Sequence, residues 1–139
     1  MTKNKTILIS IHPKYASLIF SKEKTVELRK NLPILSYGDK VLVYVTSPEK
    51  YLIGEFIVKS FIESSPQKIW PMVKDISGLS RKEFLEYYKN KRKAQAIFIK
   101  NTKKYKAPMP LEKIKSLSSN FYPPQSFTYA RELLPNLTK

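Results

Sequence analysis

The chain has no cysteine, one histidine and only 11 acidic residues in 139. Without cysteine there are no disulfides, no thiolate nucleophile and no thiolate metal site. A lone imidazole at His12 cannot build a histidine-based metal centre, so neither a metal nor a cofactor is expected. Long apolar runs are missing too. The stretch from Ile7 to Ile11 is too short for a signal peptide and has no small-residue cleavage site, and nothing approaches a membrane span. A cytoplasmic protein with no membrane partner is the expectation. Internal repeats and low-complexity segments are also absent from the sequence.

The scarcity of acid is matched by a surplus of base. Against those 11 carboxylates stand 26 Lys and Arg, a formal charge of +15. Such a charge sets up a positive field that draws polyanions and speeds their encounter, and nucleic acid is the commonest partner of that kind. Apolar residues at 42% and charged residues at 27% are ordinary for a globular chain. The length suits one domain, residues 1–139, with a core of its own, and a monomer is favoured.

In chain order, Ile7, Ile9 and Ile11 alternate with Leu8 and Ser10 as a buried strand does. His12-Pro13 opens a helix, since proline lacks only an N–H that has no partner at the first helical position. His12 there reads as a cap. Tyr15, Leu18 and Ile19 form the helix's apolar stripe, which ends near Ser21. A left-handed cap is expected at Lys22, at a cost of about 1 kcal/mol for a residue with a Cβ. A loop from Asn31 to Asp39 precedes the strand Lys40 to Val45, apolar on both faces and hence covered. A long strand runs from Tyr51 to about Ile62, with Leu52, Phe56, Val58 and Ile62 on one face and Gly54 as a bulge or close-approach point.

Ser65-Pro66 starts a helix carrying Ile69, Trp70 and Val73, which Pro71 should kink or split. Ser80-Arg81-Lys82-Glu83 is a capping box opening a helix to about Asn90, with Phe84, Leu85 and Tyr88 buried. A strand from Ala94 to Lys100 lies between two basic turns, Lys89 to Lys93 and Lys100 to Lys106. A short helix spans Pro110 to Leu117, and Phe121 to Phe127 packs back over the core. Pattern alone therefore gives an α+β fold whose mixed sheet curls toward a barrel, with helices on one side.

The segment that draws chemistry is Lys24-Thr25-Val26-Glu27-Leu28-Arg29. Strand alternation sends Val26 and Leu28 one way and Thr25, Glu27 and Arg29 the other. Lys24 joins that second set only from a turn at the strand's start. A lysine, a glutamate and an arginine meeting there can bind an anion, or a group that both donates and accepts hydrogen bonds. The bland alternative is a solvated face whose Glu27–Arg29 pair contributes almost nothing to stability.

This segment resembles the signature of the ASCH family, a branch of the PUA-like superfamily, written G-x-K-x-x-E-x-R. Lys24, Glu27 and Arg29 stand at its Lys, Glu and Arg, and Lys22 replaces its Gly. The likeness extends through Ile7 to Phe20, Gly38-Asp39, Thr46-Ser47-Pro48, Gly54-Glu55-Phe56 and Pro123-Pro124-Gln125-Ser126-Phe127, in the family's order. It implies a PUA-like β pseudo-barrel of about five to six strands with short flanking helices. It also implies a ligand: RNA or another nucleic acid, or a nucleotide-like small molecule. Some small ASCH proteins are amidohydrolases acting on acetylated cytidine through a Lys, a Thr and a Glu. Lys24 matches the Lys, Glu27 falls at the Thr position and Glu83 falls near the third. Ribonuclease activity has been proposed for other relatives.

Candidate catalytic residues are therefore Lys24, Glu27 and Glu83. Candidate binding residues are Lys22, Lys24, Thr25, Glu27, Arg29 and Lys30 around the motif, with Lys91, Arg92 and Lys93 in one basic turn and Lys103 and Lys104 in the other. Tyr105, with Phe121 and Tyr122, suits stacking on unpaired bases, because aromatic faces among cations do so. Pro123 to Phe127 reads first as a structural turn that ties over the barrel mouth, and Gln125 and Ser126 are cleft-lining candidates from it. The expected function is binding of RNA or a nucleotide ligand in a basic cleft built on Lys24, Glu27 and Arg29.

Overall fold

The computed structural model describes residues 3–137, so the extreme ends of the expected 1–139 unit lie outside the described residues. One sheet holds strands β1 (Thr6–Ile11), β2 (Val26–Arg29), β3 (Lys40–Val45), β4 (Tyr51–Ser64), β5 (Ala94–Pro110) and β6 (Phe127–Tyr129). Their order across the sheet is β2-β5-β4-β3-β1-β6. β1 and β3 run parallel, and the other neighbours are antiparallel. Helices α1 (Pro13–Phe20), α2 (Pro66–Val73), α3 (Arg81–Tyr87) and α4 (Leu111–Leu117) flank the sheet, with a 3-10 turn at Arg131–Asn136.

The sheet is curled, and one contact proves it. β1 and β2 stand four places apart, which in a flat sheet is about 19 Å at the usual strand spacing. Yet Arg29 of β2 donates to the Ser10 carbonyl of β1 at 3.2 Å. The α+β fold expected from the sequence, with the PUA-like pseudo-barrel of five to six strands that the family resemblance implies, is the fold observed, as a curled sheet of six strands.

Local chemistry accounts for most of the elements. His12 caps α1 by accepting from the Lys14 N–H, and Pro13 follows at the first helical position. Lys22 is left-handed (φ 69), as its place after α1 requires. Ser80 and Glu83 form both halves of the capping box on α3. Both faces of β3 are covered. Val41, Val43 and Val45 pack with β1 and α1, while Leu42 and Tyr44 pack with Tyr105, Ile114, Phe121 and Leu133. A third cluster joins Val26 and Leu28 of β2 to Ile69, Val73, Phe84 and Tyr88 of α2 and α3. That cluster fixes α3, which walls the site described below.

Several expectations are corrected. The second basic turn, Lys100 to Lys106, is the middle of one continuous strand, β5. Asn101 is indeed left-handed (φ 52), but it serves a bulge within the ladder. Leu52 does not share a face with Phe56 and Val58, because the register slips between Leu52 and Gly54. A Cβ on Gly54 would lie 2.5 Å from the Lys103 carbonyl and from the Phe20 ring, so this is the close approach that glycine permits. α2 continues through Pro71 without splitting. α3 ends at Tyr87 rather than near Asn90, and Leu85 is exposed.

Candidate functional site

β2 is short, and its two faces do different work. Val26 and Leu28 sink into the cluster with α2 and α3. Glu27 and Arg29 turn the other way, and Arg29 Nη1 sits 3.2 Å from Glu27 Oε2. Lys24 reaches the same group from the preceding turn. There the N–H groups of Glu23 and Lys24 both donate to the Leu18 carbonyl at 3.0 Å, folding the chain back over the end of α1. Its ammonium then lies 3.6 Å from Glu27 Oε1. Glu27 thus holds one cation on each oxygen.

This face is not solvated. Lys24 is 2% exposed and Glu27 6%, which overturns the bland reading of a surface charge run. The cover comes from Ser77 and Gly78, far away in sequence. Lys24 Nζ donates to the Ser77 carbonyl. Gly78 is left-handed (φ +75), and a Cβ there would meet Leu18 Cδ1 at 3.0 Å and the Lys24 stem at 3.5 Å. Burial pushes the Lys24 ammonium below its ordinary pKa, while the neighbouring Glu27 resists that shift. Arg29 ties three segments together. It donates to Glu27, to the Ser10 carbonyl and, at 2.8 Å, to the Ser126 carbonyl.

Beside this group opens a cavity of about 660 Å³. Its walls are Ser10, Ile11, His12 and Tyr15 from β1 and α1, Lys24, Glu27, Leu28 and Arg29 from β2 and its turn, and Leu79, Lys82, Glu83, Glu86 and Tyr87 from the start and face of α3. Lys24 Nζ lies 5.4 Å from the centre of the Tyr15 ring. Tyr15 reaches Glu83 Oε2 at 3.5 Å, and burial followed by the Glu83 charge pushes its phenol up. Burial likewise raises the Tyr87 phenol. The lining holds three cations (Lys24, Arg29, Lys82) and three carboxylates (Glu27, Glu83, Glu86). The cleft itself is therefore balanced in charge, and the positive surplus lies elsewhere on the chain. Such a surface offers donors and acceptors between aromatic walls rather than a bare cation for a phosphate.

Of the residues expected to form a site, Lys24, Glu27, Arg29 and Glu83 line the cavity. Glu83 does so while capping α3, and the Ser80 N–H it accepts holds its carboxyl below the usual range. Ser126 touches the group through its carbonyl, and its hydroxyl donates to the Asn31 carbonyl. Lys30 Nζ lies 4.1 Å from the centre of the Tyr87 ring. Lys22 and Gln125 are exposed nearby in the chain, and half-buried Thr25 donates its N–H to the Ile76 carbonyl; none of these lines the cavity. Lys91, Arg92 and Lys93 are exposed in the α3–β5 turn, with Lys93 paired to Glu63 at 3.5 Å. Lys103 and Lys104 lie in mid-β5 opposite Glu55 and Gly54. Tyr105 is buried in the core, donating to Glu55 at 2.8 Å, and Phe121 is buried as well, so neither is free to stack on a base.

The sequence reading does not single out Tyr15, Tyr87, Lys82, Glu86 or the Ser77-Gly78 cover. One signal was present. Lys82, Glu83, Glu86 and Tyr87 recur at helical spacing and share a face of α3.

A family model described as a domain of unknown function (DUF365) matches residues 4–122. An ASCH domain-containing ribonuclease from Zymomonas mobilis is 29% identical over 128 residues, which is 92% of this chain and 86% of that protein. The crystal structure of ASCH from Zymomonas mobilis superposes with a TM-score of 0.90 at 27% identity, covering 99% of both chains. The large ribosomal subunit protein uL22 of Ureaplasma parvum is 41% identical over 107 residues, 76% of this chain but only 34% of that protein.

Proposed function

The chain belongs to the DUF365 family and is an ASCH domain, and from that premise we propose that it binds single-stranded RNA in the cavity between β1, β2 and α3. The observation that carries this reading is the buried Lys24–Glu27–Arg29 group set beside Tyr15 and Tyr87. Unpaired bases are recognised by proteins through stacking on aromatic or guanidinium planes and hydrogen bonds to their edges. Glu27 keeps unshared lone pairs for a base amino group, and Lys24 and Arg29 keep N–H groups for a ring nitrogen or carbonyl. With the lining balanced in charge, the base enters and its phosphates stay at the mouth, near exposed Lys82. A relative named as a ribonuclease supports RNA as the ligand class. The test is fluorescence anisotropy with a short labelled single-stranded RNA. Lys24→Met and Tyr87→Ala are each expected to weaken binding about tenfold, the loss of one good contact. A parent protein that leaves the RNA freely tumbling would end the proposal.

A second reading adds cleavage, and the lowered Lys24 pKa favours it. A neutral Lys24 amine would take the proton of a ribose 2′-hydroxyl. The freed oxygen would bond to phosphorus as the bond to the 5′-oxygen breaks, and His12 would protonate that leaving oxygen. The products are a 2′,3′-cyclic phosphate and a 5′-hydroxyl end. Needing a base without its proton and an acid that still carries one, the rate would follow a bell-shaped pH profile whose rising limb is the loss of the Lys24 proton. Intact RNA after prolonged incubation with binding-competent protein would leave the first reading alone.

A further inference from the structure

A second feature lies outside the cavity, along the segment that crosses from α4 to β6. Tyr122 is 76% exposed and Tyr129 55%, a large aromatic surface for so small a chain to leave in water. Both line a separate groove of about 310 Å³. Each tyrosine has a buried or half-buried aromatic close by in sequence. Phe121 packs edge-on against Tyr44 at 6.2 Å and fixes the backbone that presents Tyr122. Phe127 packs edge-on against Tyr129 at 5.4 Å. Lys115 of α4 places its ammonium 5.7 Å from the Tyr122 ring centre. The groove is continuous in the chain with the cavity, since Ser126, between the two tyrosines, accepts from Arg29.

We propose that this groove is a stacking platform for the single-stranded RNA that runs out of the cavity, with bases on Tyr122 and Tyr129 and a phosphate near Lys115. The proposal rests on the RNA reading above and extends it to a second surface. The chemistry selects the occupant. The groove's own lining has one charged side chain, Glu132, so the attraction comes from Lys115 beside Tyr122 and from a chain of formal charge +15. The exposed rings suit a flexible polyanion whose units each carry a π-face. An acidic peptide would use the charge but leave the rings without partners. Stacking is also tolerant of sequence, so the groove would add affinity without adding base preference.

The test compares a short labelled oligouridine that fills only the cavity with a longer one, using the parent and a Tyr122→Ala/Tyr129→Ala double variant. The parent is expected to hold the longer RNA at least about tenfold more tightly. The double variant is expected to bind both alike, with the parent's affinity for the short one. Tyr122→Ala alone, the more exposed position, is expected to give an intermediate loss. A double variant that keeps the length preference overturns the platform and leaves the RNA reading standing. Equal loss for both lengths, or a parent indifferent to length, overturns it as well. A parent that binds neither RNA overturns both.

Discussion

Glu27 accepts from Lys24 on one oxygen and from Arg29 on the other, with all of these groups largely withdrawn from water. Such an arrangement is unforgiving, because removing one member leaves the others charged and uncompensated. Glu27→Gln is expected to destabilise the protein by about 3 kcal/mol, read from its urea midpoint. Breaking the exposed Lys14–Glu83 pair at 3.4 Å should barely move that midpoint, since water already serves both ends. An unchanged midpoint for Glu27→Gln would mean that the group is solvated after all. Lys24 adds a pH signature. Its folded pKa lies below the ordinary 10.5, so between the two values the unfolded chain binds more protons than the folded one. The Lys24 contribution to stability should therefore climb with pH across that window, until the unfolded lysine is neutral too, while the buried tyrosines raised above 10.0 work the other way at its upper end. Lys24→Met should remove that contribution, and parallel pH profiles for parent and variant would contradict it.

At the scale of elements, α3 decides the shape of the cavity. It has seven residues, too few to hold a helix alone, and it depends on its capping box and on Phe84 in the core. Ser80→Ala is expected to cost about 1 kcal/mol and to weaken RNA binding as well, because Glu83, Glu86 and Tyr87 all ride on that helix. Denaturation and anisotropy on one preparation check both effects; a stability loss with unaltered affinity would detach α3 from the site. The caps themselves were legible in the sequence. His12-Pro13, Ser65-Pro66 and the Ser80–Glu83 box are local chemistry, and so is the left-handed Lys22. The partners in the Lys24–Glu27–Arg29 group were legible for the same reason, lying within one turn and one strand. What was not legible depended on distant chain. Asn101 to Lys104 looks like a turn until β4 supplies the ladder that makes it a bulge. The burial of Lys24 is unreadable locally, because Ser77 and Gly78 provide it from across the fold.

For the whole molecule, field and site are separate. The chain carries +15, whereas the cavity lining pairs three cations with three carboxylates. On the proposed reading, long-range attraction comes from exposed lysines and recognition from a pocket with no net charge of its own. Were about four phosphates neutralised along a single strand, log K should fall against log salt with a slope of roughly −3. Replacing Lys91, Arg92 and Lys93 with alanine should flatten that slope while leaving the cavity contacts in place. An unchanged slope would remove that turn from the RNA path. Nitrogen-edited NMR titration of the labelled protein with a short single-stranded RNA asks most directly whether the cavity is the site. Shifts should concentrate at Ile11, Lys24, Glu27, Arg29 and Tyr87. Shifts confined to Lys91–Lys93 and the exposed face of β5, with the cavity residues unmoved, would contradict it.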